Sequence, residues 1–60
     1  MSTVYNPEAE TMAQIERLEL EARDVRHRIE KAKGENDKRV LARQLKETEE
    51  QIEALKVKLP

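Results

Sequence analysis

The sequence predicts an all-α fold, an antiparallel two-helix hairpin of coiled-coil type that dimerises into a four-helix bundle. Three observations carry this. Apolar residues recur every three or four positions through two long charged runs. The chain's single glycine, Gly34, stands between those runs. The apolar rhythm also changes phase across that glycine.

The phase change decides between a hairpin and one long helix. The first run carries Ile15, Leu18, Ala22, Val25, Ile29 and Ala32 in alternating steps of three and four. Continued unchanged, the rhythm lands on Asn36, Arg39, Arg43 and Lys46, which are all polar. The apolar series of the second run is instead Leu41, Leu45, Thr48, Ile52, Leu55 and Leu59. A straight helix would lose its seam at Gly34, whereas a chain folded back about residue 35 keeps it. Ile29 then faces Leu41, Val25 faces Leu45, and Ala22 faces Thr48. Leu18 faces Ile52, Ile15 faces Leu55, and Thr11 faces Leu59. Position a meets d in every layer, as an antiparallel coiled coil requires.

Taken in order, residues 1–6 are expected to be a flexible lead-in, with Val4 and Tyr5 as a minor docking-peptide candidate. The hairpin is expected over residues 7–60. Helix one is expected over 7–33. Asn6 suits the N-cap, Pro7 the first helical position, and Glu8 and Glu10 the positive end of the helix dipole. Lys31 and Lys33 suit its other end. The turn is expected over 34–36, with Gly34 in the left-handed backbone region that ends many helices. Asn36 would then cap helix two, expected over 37–59, with Asp37 in its first turn.

Composition narrows the class. Charged residues make up 42% of the chain, with a net charge of −1, and this together with helical periodicity reads as a coiled coil rather than a disordered polar chain. There is no cysteine, hence no disulfide and no thiolate metal site. No apolar run is long enough for a membrane span and none resembles a signal-peptide core, so a cytoplasmic setting and no membrane association are expected. The hairpin core of Ile15, Leu18, Ala22, Val25, Ile29, Leu41, Leu45, Thr48, Ile52 and Leu55 is thin for 60 residues. A lone pair of helices covers each seam on one side, so the chain is expected to need a second copy or another partner.

Charge is unevenly placed. Residues 1–25 sum to −4, residues 26–46 to +5 and residues 47–60 to −2. The hairpin therefore has a basic turn end and an acidic open end. Two hairpins with their turns at opposite ends would set unlike charges side by side. Along the seam, Glu19 is expected near Glu49, Arg28 near Gln44 and Glu21 near Gln51, so ion pairing within one hairpin is not expected to hold the fold. Arg26 or Arg28 from a second hairpin would relieve the acidic strip.

No catalytic constellation is present. His27 is the lone histidine, on the outer face, without a second histidine or cysteine for a metal. Carboxylates are plentiful, but acid–base work needs a cleft that raises one pKa, and a two-helix rod offers none. One glycine is too few for a phosphate-cradling loop. The hairpin shape resembles the sporulation-type aspartyl-phosphate phosphatases, whose second helix carries Ser-Gln-Glu-Leu-Asp. The matching stretch here is Ala42-Arg43-Gln44-Leu45-Lys46, in which only Leu45 agrees and Lys46 replaces the acidic residue. The resemblance therefore implies shape and not activity.

These readings converge on a non-enzymatic protein–protein interaction module without cofactor or metal, a homodimeric adaptor, regulator or assembly element. Met12, Leu20, Val40 and Val57 lie off the seam and are the candidate partner contacts. The alternative is binding of nucleic acid or another polyanion through Lys31, Lys33, Lys38, Arg39 and Arg43 at the turn end. It is weakened by Glu30, Glu35 and Asp37 among those cations and by the lack of an aromatic residue at the turn end to stack on bases. A coiled-coil arm of a larger protein is the third possibility.

Overall fold

The computed structural model describes residues 6–59. The lead-in residues 1–5, including Val4 and Tyr5, lie outside them, as does Pro60. Helix α1 spans Pro7–Lys31 and α2 spans Glu35–Val57, and the two pack against each other as a hairpin. Its extents are 53 × 22 × 11 Å, so it is two helices broad and one helix thick.

Asn6 belongs to the helix start rather than to the lead-in. Its side-chain oxygen accepts from the backbone N–H groups of Glu8 at 3.0 Å and Ala9 at 3.3 Å. Pro7 fills the first helical position, where its missing N–H leaves no bond unmade.

The turn differs from the sequence expectation in place and in kind. It occupies residues 32–34 rather than 34–36, and no described residue has a positive φ, Gly34 included. Helix α1 stops two residues early, at Lys31, and is capped by Ala32, whose N–H donates to the carbonyls of Arg28 at 2.9 Å and Ile29 at 3.3 Å. Ala32 then turns extended, at φ −68° and ψ 135°, and Gly34 is extended too, at φ −96° and ψ 142°. The physical reason is reach. About three extended residues span roughly 10 Å, the usual separation of two packed helix axes, so no left-handed cap is needed. Gly34, not Asn36, is the N-cap of α2, and it makes no side-chain capping bond.

The far end also closes early. Helix α2 ends at Val57, and Lys58 and Leu59 wind on through bonds to the carbonyls of Leu55 and Lys56, both 3.1 Å. Leu59 still packs against the core.

Burial follows the seam. Ile15, Ala22, Val25, Thr48 and Ile52 are buried. Thr11, Leu18, Ile29, Ala32, Leu41, Leu45, Leu55 and Leu59 are half-buried, and every other described residue is exposed. The half-buried group includes Thr11 and Leu59, the layer at the open end. Both seam threonines bond back to their own helix. Thr11 Oγ1 donates to the Pro7 carbonyl and Thr48 Oγ1 to the Gln44 carbonyl, each at 2.9 Å. The small Ala22–Thr48 layer therefore satisfies its polar atom without an outside group.

Candidate interaction surfaces

A helix advances about 100° per residue, so residues on either flank of a seam look to opposite sides of a flat hairpin. The two broad faces differ in chemistry. One bears an open groove of about 380 Å³ lined by Gln14, Arg17, Leu18, Gln51, Ala54 and Leu55. Nearer the turn, a second depression of about 440 Å³ is lined by Arg28, Lys31, Ala32, Asp37, Val40 and Leu41. Leu18, Leu41 and Leu55 are seam residues left half-exposed here. The opposite face bears a cleft whose lining includes Glu19, Arg23, Arg26, Glu49, Glu53 and Lys56.

An ion pair crosses the charged face. Arg26 Nη2 lies 3.1 Å from Glu49 Oε2, with the side chains 56% and 49% exposed. At that exposure the pair contributes about 0.2–1 kcal/mol. One ion pair thus links the helices without holding the fold, and Arg26, expected to relieve the acidic strip from a second hairpin, is engaged within its own. Glu19 and Glu49 do line the same cleft, but Arg26 reaches into it from the same chain. The signal was in the spacing, since Arg26 lies seven residues after Glu19 and so shares its flank. Arg28 is engaged as well, its Nε 3.1 Å from Asp24 Oδ2 one turn earlier.

The four off-seam apolar residues are all exposed. Met12 is 53% accessible, Leu20 64%, Val40 59% and Val57 82%. They do not form one patch. Val40 lines the depression by the turn and Leu20 lines clefts with Glu16, Glu19, Arg23, Asp24 and His27 on the outer side of α1. Gln14, Gln51 and Ala54, which line the broad groove beside Leu18 and Leu55, are not among the candidate contacts, because none of them belongs to the seam repeat.

The cations Lys31, Lys33, Lys38, Arg39 and Arg43 are exposed around the turn end. Asp37 shares the depression of Lys31. His27 is exposed on the outer face. Among the described residues no cluster of three or more His, Cys, Asp or Glu side chains is placed to hold a metal. No helix among them is long and apolar enough to cross a membrane.

No protein-family model, curated protein or solved structure matches the chain.

Proposed function

We propose that this chain is a non-enzymatic protein–protein interaction module, a small adaptor, regulator or assembly element that works as a homodimer of hairpins in a four-helix bundle. The observation that supports it is the one-sided core. Among the described residues no large side chain is fully buried, and Leu18, Leu41, Leu45 and Leu55 all keep part of their surface exposed. Each fully buried aliphatic side chain contributes about 1.5–3 kcal/mol, and a second hairpin is the direct way to complete that burial. The opposed charges of the two ends favour a partner with its turn at the other end.

Sedimentation equilibrium from low micromolar to millimolar concentration, paired with circular dichroism, tests this. The expected result is a stable dimer whose helicity falls when it dissociates on dilution. A helical monomer across the whole range would overturn it.

A second reading is supported by the exposed cations Lys31, Lys33, Lys38, Arg39 and Arg43 at the turn, which suit a polyanion. Affinity from phosphate contacts falls steeply with added salt, whereas an apolar bundle tolerates it. A salt titration of binding to a mixed-sequence RNA or DNA therefore separates the two readings.

A further inference from the structure

We infer that the broad face bearing Leu18 and Leu55 is the surface on which a second copy of this chain docks, with the two turns at opposite ends. The inference rests on the homodimer reading above and assigns its interface.

The two faces offer unequal starting points. The face of Arg26 and Glu49 is already strapped by their ion pair and flanked by Glu19, Arg23, Glu53 and Lys56. Burying it against another hairpin would strip water from many charges. The other face is lined at its groove by Gln14, Gln51, Ala54 and two half-buried leucines, with Arg17 as the groove's one charge, and its turn-side depression sets Arg28, Lys31 and Asp37 around Ala32, Val40 and Leu41. Uncharged floors with charge at the rim are what protein interfaces favour.

The placement of the two depressions on that face is compatible with turns at opposite ends. On α1 the broad groove uses residues 14–18 and the depression by the turn uses 28–32, which lie equally far from residue 23. On α2 the corresponding stretches are 51–55 and 37–41, equally far from residue 46. Residues 23 and 46 are themselves near opposite one another in the fold-back register. One twofold axis through that level, lying in the face and across the helices, therefore sets each groove on the other copy's turn-side depression. Leu18 approaches the level of Arg28, Gln14 that of Ala32, Gln51 that of Leu41, and Ala54 that of Lys38. Arg17 comes level with Ile29, and Arg17, Arg28 and Lys38 are long enough to carry their charge to the rim.

The same axis puts the acidic open end of each copy beside the basic turn of the other. An axis along the hairpin would instead stack basic turn on basic turn. The charge distribution thus selects the arrangement with the turns at opposite ends, and in that arrangement each groove lies on the other copy's turn-side depression.

Cysteine placement tests the assignment, because the natural chain has none. Gln44 lies seven residues before Gln51 and shares its face, while Ala42 lies seven before Glu49 and shares the charged face. Both are exposed and close to the level of the axis. With a short bifunctional maleimide, Gln44→Cys is expected to give covalent dimer at least tenfold faster than Ala42→Cys, with helicity unchanged in both. Lys33→Cys at the turn is expected to give no dimer above background. Gln51→Lys is expected to raise the dimer dissociation constant at least tenfold, and Glu53→Lys less than threefold. A dimer that cross-links through Ala42→Cys rather than Gln44→Cys would overturn the choice of face. Turn-to-turn cross-linking through Lys33→Cys would overturn the orientation. Both results would leave the homodimer standing, whereas a natural chain monomeric at millimolar concentration would remove the homodimer and this interface with it.

Discussion

The middle of the hairpin and its turn end are built from the same repeat but packed to different depths. In the middle, Ala22, Val25, Thr48 and Ile52 are buried. At the turn, Ile29, Ala32 and Leu41 remain half-exposed, and the chain crosses between helices on extended backbone without a side-chain cap. The difference teaches that the hairpin is held by its seam and merely joined by its turn. The residue that divides the sequence most visibly, Gly34, is not where the stabilising contacts are.

Truncating the same volume at the two places should reveal that gradient. Ile52→Ala removes a side chain that is 7% exposed and leaves a gap beneath Ile15 and Ala22. The expected loss is about 2–4 kcal/mol, enough to unfold a small domain under mild conditions. Leu41→Ala removes a similar volume that is already partly in water, and should cost roughly 1–2 kcal/mol. Urea unfolding followed by circular dichroism, at one fixed protein concentration, measures both. Equal losses would break the comparison and show the turn end packed as tightly as the middle.

The two helix starts make a finer contrast. Asn6 satisfies the N–H groups of Glu8 and Ala9, whereas Gly34 satisfies none with a side chain. Asn6→Ala should therefore cost about 1 kcal/mol. The change should show first as fraying of the start of α1 in amide hydrogen exchange, with protection of the middle retained. Uniform loss of protection would mean that the cap and the seam unfold as one unit.

Much of this fold could be read in the sequence because the seam is a repeat, and a repeat carries its own check. The residues that lose exposure on folding are the six facing layers and Ala32. The phase break at Gly34 located a turn but not its conformation. Glycine, asparagine and aspartate in series favour a left-handed cap on local grounds, and only the distance between the packed helices shows that extended residues suffice. The ion pair Arg26–Glu49 escaped because pairing was judged between directly flanking positions, while an arginine reaches a full turn further. The groove of Gln14, Gln51 and Ala54 escaped for another reason. These three are uncharged residues off the seam, and they meet around Leu18 and Leu55 only when both helices are set side by side.

Gly34 offers the smallest expected effect and the clearest sign. Its φ of −96° is open to any L-residue, and a Cβ built there would meet only Asp37, at 3.6 Å to Oδ2 and 3.9 Å to Cγ. Both are ordinary van der Waals separations, so the folded state has room for a side chain. The unfolded chain, in contrast, loses freedom when glycine is replaced. Gly34→Ala should therefore stabilise the hairpin by up to about 1 kcal/mol, less a few tenths because alanine is a poorer N-cap than glycine. Gly34→Ser keeps the same loss of unfolded freedom and adds a hydroxyl able to accept from the first N–H groups of α2, so it should stabilise more than Gly34→Ala. Gly34→Asp would set a second carboxylate beside Asp37 and should fall below Gly34→Ser. The midpoint of urea unfolding ranks the three variants against the natural chain. If Gly34→Ala and Gly34→Ser both destabilise by more than 1 kcal/mol, the backbone at residue 34 is left-handed in solution, and the turn is then a conformational determinant rather than a passive link.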